Sequence, residues 1–376
     1  MLNCGHFAAN RCRSCSQLQI GYDQQLLRKQ AHCETLLASH RAVVWLPALP
    51  SALSGFRNRA KMVVSGSVEA PILGIVSPAG VAVDLRDCAL YGPELRSSFA
   101  PIVAYLRAAR VPPYQIETRS GEIKFALITC APSGALMLRL VLRSKESLDR
   151  LRKSLSQLQS DLPNLQVVSV NLQPVHQAIL EGPEEIGLTA NQQLGVRVNE
   201  LNLYLGPQSF FQTNTAVAEA LYRQARAWTA LLKPRSMLDL YCGVGGFALH
   251  CAQNAGRVTG VELSAQAIAS AQRSAQEMPA SYIQFYAADA CEFALALSET
   301  PELVVVNPPR RGLGITLSNW LANSLVKWLI YSSCNTQSLA QDLARMPRFR
   351  LLQARVLDMF AHTEHYEVIC LLERCD

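Results

Sequence analysis

The strongest constraint on the fold is a regular alternation of short apolar runs with amphipathic stretches, which begins near residue 208. A helix comes first, because apolar residues recur at helical spacing from 217 to 232 after a cap at Asn214 or Thr215. We then predict strands at 237–241, 257–262, 282–287, 303–307, 327–332, 351–358 and 366–372. Strand, helix and strand in this rhythm predict a parallel, doubly wound sheet, which binds its ligands at the carboxyl ends of the strands.

The residues before this alternation divide into two further regions. A Pro/Ser-rich stretch at 46–51 breaks the chain after a helix near 22–39. Farther on, a strand at 136–142, an amphipathic helix from Leu148 to Leu158 and a strand at 167–172 indicate an α+β region. We therefore predict an N-terminal region at 1–90, a central α+β substrate domain at 91–205 and the doubly wound domain at 206–376.

Length and composition exclude several classes of protein. The chain has 376 residues, of which 49% are hydrophobic, so it can bury a large core and is neither disordered nor collagen-like. Its apolar runs are much shorter than the roughly 20 residues of a membrane-spanning helix, and the N-terminus lacks the pattern of a signal peptide. We expect a cytoplasmic protein without a membrane partner.

Positive charge is concentrated near the N-terminus. The net charge is +6, and residues 1–61, with eight basic and two acidic side chains, account for all of it. Within this stretch Arg57, Arg59 and Lys61 alternate along a predicted strand, where their tips could follow a nucleic-acid backbone while Phe56 stacks on a base. A solubilising arm or a solvated edge strand explains the same pattern equally well.

Three of the twelve cysteines lie within the first 15 residues. Cys4, Cys12 and Cys15 are spaced C-x7-C-x2-C in a stretch without a helix or strand to bury them, which favours a metal centre over structural thiols. Cys88 is a distant fourth candidate ligand. Zinc and iron–sulfur clusters both accept four thiolates, and the absence of a paired C-x2-C…C-x2-C spacing favours a cluster only slightly. Cys33 lies on an apolar helical stripe and is predicted to be a core residue.

A glycine-rich turn follows the first predicted strand of the doubly wound domain. Asp239 lies in that strand, the turn runs through 242–247, and Glu262 ends the next strand, where a carboxylate can hold a ribose diol. Phe247 and Ala248 occupy the stretch where a dinucleotide motif has its third glycine, so S-adenosylmethionine is favoured over a dinucleotide. Asp289, after the following strand, could reach the adenine or simply cap a helix.

Two later strands end in polar groups at the same predicted edge. Asn307 is followed by two prolines, which hold the backbone rigid where the amide projects, an arrangement suited to a nucleobase or an amide. The next strand leads to Cys334. A lone cysteine at a strand end is more often a buried apolar residue, but its neighbours favour a nucleophile.

Together these motifs resemble those of the RNA uracil C5-methyltransferase family over essentially the whole chain. The resemblance rests on the cysteines at 4, 12, 15 and 88 and on the segments 55–58, 209–214, 239–243, 307–310, 332–335 and 365–368. It implies an α/β fold with a C-terminal Rossmann-like methyltransferase domain, an N-terminal iron–sulfur arm and a central α+β domain. The resemblance is strongest for members that modify uracil 747 of 23S rRNA, which implies 23S rRNA as the partner. We expect a monomer.

The resemblance also implies roles for particular residues. Cys334 corresponds to the nucleophile of the family and Glu367 to the acceptor of a proton. The positions that bind the family's 4Fe-4S cluster correspond here to Cys4, Cys12, Cys15 and Cys88. The positions that bind its S-adenosylmethionine correspond to Gln212, Tyr241, Glu262 and Asn307. Related enzymes often have Asp at the position of Asn307, so a charge-dependent role is not expected there. No N-terminal β-barrel RNA-binding module is expected.

The chemistry of the reaction explains these residue types. Uracil C5 is too weak a nucleophile to attack a sulfonium methyl group, so a thiolate such as that of Cys334 first adds to C6 and makes C5 nucleophilic. A base such as Glu367 then removes the C5 proton so that the thiolate can leave. The uracil must also leave the stack of bases in the RNA to reach these groups.

Three other functions remain open on the sequence. A tRNA uracil C5-methyltransferase would use the same residues. An exocyclic-amine methyltransferase would need an aromatic residue at position 310, where the chain has Arg310. A non-catalytic iron–sulfur protein would bind RNA without transferring a methyl group.

Overall fold

The computed structural model describes residues 2–40, 42–77, 79–177, 179–279 and 282–375. The strands, in chain order, are β1 Val44–Trp45, β2 Arg59–Gly66, β3 Pro71–Val76, β4 Ala82–Asp84, β5 Ile123–Cys130, β6 Leu136–Leu142, β7 Leu165–Leu172, β8 Glu184–Gly187, β9 Leu194–Val198, β10 Leu201–Leu205, β11 Ser236–Leu240, β12 Arg257–Glu262, β13 Ile283–Ala287, β14 Leu303–Val306, β15 Trp328–Ser333, β16 Phe349–Leu357 and β17 Glu367–Arg374. The helices are α1 Gly5–Ala8, α2 Tyr22–Leu36, α3 Pro93–Ala108, α4 Leu148–Asp161, α5 Thr215–Leu232, α6 Gly246–Cys251, α7 Ala265–Gln276, α8 Ala290–Leu295, α9 Gly314–Asn323 and α10 Thr336–Ala344.

The chain forms two compact units. Unit 1 comprises Cys15–Ala52 and Val198–Asp376, and unit 2 comprises Leu2–Ser14 and Leu53–Arg197. The seven-stranded sheet of unit 2 takes strands from both sides of residue 90, so that position does not separate two sheets. The division of the chain into three functional regions stays a prediction.

The core of unit 1 is an eight-stranded sheet in the order β1-β16-β17-β15-β14-β11-β12-β13. Seven of these strands are parallel, as predicted, but β17 runs antiparallel to both neighbours, β15 and β16. The sequence analysis predicted a parallel sheet throughout and was wrong here, because the short connection after β16 returns the chain directly as an antiparallel neighbour. One face of the sheet packs against α2, α8, α9 and α10 around buried residues such as Val304, Leu329 and Leu339.

Helix α2 departs from the predicted apolar stripe. Cys33 and Leu37 are buried in the core as predicted, whereas Leu27 is 62% exposed. The remainder of the buried face is polar, since Gln25 and Lys29 are almost inaccessible to solvent. Apolar periodicity therefore located the helix but misplaced part of its buried face.

Unit 2 has a sheet in the order β4-β3-β2-β5-β6-β7-β8, in which only β6 and β7 pair in parallel, through α4. Helices α3 and α4 cover one face, with Phe99, Ile102 and Leu151 fully buried among the sheet residues. Strand β6 carries a buried arginine, Arg139, whose guanidinium binds Glu181 and Glu185.

The predicted basic strand begins later than expected, at Arg59. Phe56 is only 8% exposed, so the prediction that it offers a stacking surface to a nucleic acid was wrong. An aromatic ring next to a strand is stabilised more by burial in the core than by exposure. No described helix has the length and apolarity to cross a membrane.

Candidate active site

The carboxyl end of β11 leads into a tight glycine turn. Gly243 and Gly245 have φ values of 54° and 85°, and Tyr241 also adopts a left-handed conformation with φ 62°. Glycine adopts such angles without strain, whereas a tyrosine does so only when its surroundings hold it there. Nothing lies within 4 Å of the position that a Cβ on Gly243 would occupy, so the backbone there is open to a ligand.

Two carboxylates support this turn in different ways. Glu262, at the end of β12, accepts a hydrogen bond from the Gly243 backbone N–H at 3.3 Å and one from Ser264 at 3.0 Å. Asp239 is fully buried in β11 and accepts from the Ala248 N–H at 2.9 Å. Burial raises the pKa of Asp239 to about 8, so this residue supports the turn mainly as a neutral acid, whereas Glu262 faces the open cavity.

The ends of β13 and β14 add two further polar groups. The Asp289 side chain accepts hydrogen bonds from the backbone N–H groups of Cys291 and Glu292 at 2.9 and 3.0 Å and so caps α8. Asn307 directly follows β14 and is held by the two prolines after it. Both side chains line the same cavity.

Cys334 and Glu367 meet because of the antiparallel strand. The last pair of β15 with β17 is Ser333 opposite Val368, Cys334 directly follows Ser333, and Glu367 directly precedes Val368. Because β17 runs against its neighbours, its first residue lies at the edge where β15 ends. A thiol and a carboxyl group that are far apart in sequence are thereby brought to one edge of the sheet.

The electrostatic surroundings of Cys334 act in opposite directions. Burial raises the pKa of this half-buried thiol, and the charge of Glu367 raises it further, while the guanidinium of Arg310 lowers it. Arg310 lies within 3.1 Å of the His365 ring nitrogen and its backbone oxygen accepts from the Asn335 amide at 2.9 Å. Arg310 is therefore held through both its side chain and its backbone, and its charge favours the thiolate.

Glu367 is only 2% exposed, and burial raises its pKa to about 7. Its Oε1 accepts a hydrogen bond of 2.7 Å from the Ser332 hydroxyl, which lowers that pKa. A carboxyl group with a pKa near neutrality exchanges protons readily at cellular pH.

A single cavity of about 770 Å³ in unit 1 unites these groups. It is lined by all six residues predicted for catalysis and cofactor binding, namely Gln212, Tyr241, Glu262, Asn307, Cys334 and Glu367. Their individual roles stay predictions. The sequence analysis did not single out Arg310 or His365 as site residues, nor the aromatic residues Phe210, Tyr222 and Phe360, which also line the cavity. For Arg310 a signal was present, because it directly follows Asn307 and the two prolines.

The predicted cluster cysteines are distributed over both units. Cys4, Cys12 and Cys88 belong to unit 2 and Cys15 to unit 1. Burial raises the pKa of Cys88, and the charges of Cys4 and Cys12 raise it as well, so these three thiols are near one another. Among the described residues, no group of three or more His, Cys, Asp or Glu side chains has an arrangement that could hold a metal ion. The cluster stays a prediction.

Comparison with known proteins decides the family. Residues 188–375 match the model of the tRNA (uracil-5-)-methyltransferase family. The 23S rRNA (uracil(747)-C(5))-methyltransferase RlmC of Pectobacterium atrosepticum is 48% identical over 374 residues, which are 99% of this chain and the whole of that protein. The chain belongs to the RNA uracil C5-methyltransferase family. The RlmC protein of Halothiobacillus neapolitanus is 50% identical to this methyltransferase over 99% of the chain and the whole of that relative.

A solved structure has the same fold. The tRNA (uracil-54, C5)-methyltransferase of Pyrococcus abyssi in complex with S-adenosyl-L-homocysteine superimposes with a TM-score of 0.79 and is 22% identical. The match covers 95% of this chain and 85% of that one. The similarity confirms the predicted α/β methyltransferase fold.

Proposed function

We propose that this enzyme methylates C5 of a uridine in 23S rRNA, at the position corresponding to uracil 747, with S-adenosylmethionine as methyl donor. The relatives named for that reaction are 48–50% identical to the chain and match it from end to end. The observation that carries the mechanism is that Cys334, which follows β15, and Glu367, which begins β17, line one cavity. An rRNA substrate implies a cytoplasmic location, and the monomeric state stays a prediction.

The residues around the glycine turn fit S-adenosylmethionine. The backbone at Gly243 is open, Glu262 offers a carboxylate for the ribose hydroxyls, and Asp289 lies one strand further on. Gln212, Tyr241 and Asn307 would hold the remainder of the molecule. When bound, the cofactor supplies the methyl group as an electrophile.

The uracil is activated by Cys334. Its thiolate forms a bond to C6, and the electrons of the C5–C6 double bond move toward C5 and the O4 oxygen, so that C5 becomes the nucleophile. Arg310 favours the thiolate and opposes the effects of burial and of Glu367. A thiol with a raised pKa is protected from oxidation until the RNA base arrives and displaces water.

The product is released through Glu367. After C5 has gained the methyl group, the carboxylate accepts the C5 proton, the C–H electrons restore the C5–C6 double bond, and the C6–S bond breaks. The thiolate of Cys334 is thereby regenerated. Glu367 lines the same cavity and its charge acts on the Cys334 thiol, which supports this role beside the ring that Cys334 holds.

We also propose that Cys4, Cys12, Cys15 and Cys88 bind a 4Fe-4S cluster. The nearness of Cys4 and Cys12 to Cys88 in unit 2 supports this, since four thiolates are the ligand set of such clusters. The cluster would supply charge and local order near the N-terminus, where the positive charge of the chain is concentrated.

The function is tested by replacing Cys334 with Ala. We expect the variant to bind S-adenosylmethionine as the wild type does but to lose methylation of unmodified 23S rRNA by at least about a thousandfold, because covalent activation is lost. Methyl transfer from labelled cofactor and cofactor affinity by calorimetry are the two measurements. Undiminished turnover would contradict the covalent mechanism.

The substrate is tested with two RNAs side by side. Unmodified 23S rRNA and unmodified tRNA are incubated with wild-type protein and labelled cofactor, and the methylated uridine is mapped. Methylation of 23S rRNA at the proposed uridine supports the proposal. Methylation of tRNA alone would replace the substrate, and RNA binding without methyl transfer to either would favour a non-catalytic protein.

A further inference from the structure

A serine lies directly behind the general base. The Ser332 hydroxyl is fully buried and donates a 2.7 Å hydrogen bond to Oε1 of Glu367. Ser332 is paired with Ile369 in the ladder of β15 and β17, so Glu367, two residues before Ile369, is its diagonal neighbour on the adjacent strand. Cys334 and Glu367 line the cavity, and Ser332 contacts Glu367 from the buried side.

We propose that Ser332 is a positioning residue that orients Glu367 and keeps it ionised for removal of the C5 proton. This inference rests on the proposed function. Ser332 itself touches neither the RNA base nor the cofactor, since it is fully buried and does not line the cavity. It acts through the carboxylate alone.

The geometry leaves one carboxylate oxygen available. Ser332 donates its hydrogen bond to Oε1 and not to Oε2. The carboxylate lines the cavity, so Oε2 is the oxygen that can approach the substrate. A carboxylate held at one oxygen cannot rotate without breaking that bond, which fixes the direction of its other oxygen.

The charge state follows from the same contact. Burial raises the pKa of Glu367 to about 7, and the hydroxyl opposes that effect by donating to the ionised form. Without the hydroxyl, the carboxyl group would be protonated over more of the neutral range and could not accept a proton. In the elimination step the C5–H bond breaks, the proton moves to Oε2, the C5–C6 double bond forms and the C6–S bond breaks.

The test compares Ser332→Ala with a matched control, Ser318→Ala. Ser318 is also a fully buried serine whose hydroxyl donates to a carboxylate, that of Asp342 at 3.3 Å, but neither residue lines the cavity. Unmodified 23S rRNA carrying 5-tritiated uridine is mixed with excess enzyme and methyl-labelled cofactor. Methyl incorporation measures the transfer step, and tritium released to water measures removal of the C5 proton.

We expect Ser332→Ala to transfer the methyl group at the wild-type rate but to release tritium about tenfold more slowly at pH 6.5, as a pKa increase of about one unit predicts. The covalent protein–RNA adduct should accumulate meanwhile, and the delay should disappear near pH 9. Ser332→Cys, which retains a weaker donor, should show an intermediate delay. Ser318→Ala should behave as the wild type.

Two results would overturn the inference. One is equal tritium release by Ser332→Ala and wild type at every pH, and the other is an identical delay in both serine variants. Failure of the proposed function is distinguishable, because in that case the wild type itself would transfer no methyl group and release no tritium.

Discussion

At the scale of single residues, the site combines groups whose surroundings oppose their charged forms. Glu367 and Asp239 are buried carboxyl groups with pKa values raised to about 7 and about 8, and burial raises the pKa of Cys334 as well. Perturbed groups of this kind concentrate at catalytic centres. Burial of such a group in its charged form lowers the free energy of unfolding, and this effect can be measured.

Glu367→Gln should therefore stabilise the fold at alkaline pH while it blocks product release. Below about pH 4.5 both states of the protein hold the Glu367 proton, and as the pH rises toward about 7 the unfolded state releases it first, so stability falls. Above pH 7 the loss in free energy of unfolding reaches about 3 kcal/mol. Gln should recover about 1–3 kcal/mol of it, and the recovery is incomplete because the amide remains partly unpaired. The urea midpoint at pH 8 and pH 5 checks this.

The control for this prediction is Glu299→Gln. Glu299 is in the same unit but its side chain is 76% exposed, so the loss of its charge should not change the pH dependence of stability. Equal midpoints for Glu367→Gln and wild type at pH 8 would contradict the assigned burial cost. In the activity assay, Glu367→Gln should accumulate the covalent adduct.

At the scale of secondary-structure elements, α2 holds the connection between β16 and β17, which carries site residues. Lys29 binds Asp358 at 2.7 Å and donates to the Phe360 backbone oxygen at 3.2 Å, while the Tyr22 hydroxyl donates to Asp358 at 2.9 Å. Gln25 accepts from the His362 backbone N–H at 3.0 Å. The polar face of α2 thus forms hydrogen bonds with the backbone of the segment that presents Phe360 and His365 to the cavity.

Lys29→Met should lower the free energy of unfolding by about 3–5 kcal/mol, because it leaves the buried Asp358 carboxylate without its cation. Methylation should fall as the segment at 358–366 loses its fixed position. Denaturant unfolding and the methyl-transfer assay are the measurements.

An exposed ion pair in the same unit provides the comparison. Arg257 and Glu299 lie 2.8 Å apart with both side chains more than half exposed, so Arg257→Ala should cost less than about 1 kcal/mol. A loss as small for Lys29→Met would mean that the buried pair does not stabilise this connection.

At the scale of the whole molecule, the residues proposed for methyl transfer lie in unit 1, whereas three of the four proposed cluster ligands lie in unit 2. Anaerobically purified protein should contain about four iron and four sulfide per chain. Cys88→Ser should lose most of this iron, because it removes one of four thiolates.

Cys130→Ser is the matched control for the iron measurement, since Cys130 is also a partly buried thiol of unit 2 but is not a proposed ligand. It should retain the full iron content. Bound zinc in place of iron would replace the cluster with a zinc site, and wild-type protein without any metal would remove the proposal.

The sequence determined much of this protein by local physical rules. Alternation of apolar and amphipathic stretches located the strands of unit 1, and the polar residues at strand ends identified the cavity, because parallel strands present their carboxyl ends at one edge. Asn214 caps α5 as predicted, since a side-chain oxygen before a helix binds its first N–H groups.

Only the tertiary structure decided which of these groups meet and in what state. The antiparallel direction of β17 brings Glu367 to the edge where Cys334 follows β15, Ser332 donates a hydrogen bond to Glu367, and Arg310 lowers the pKa of Cys334. Phe56 and the polar face of α2 were misjudged for the same reason. Burial and charge depend on neighbours that are distant in sequence, and periodicity along the chain carries no information about them.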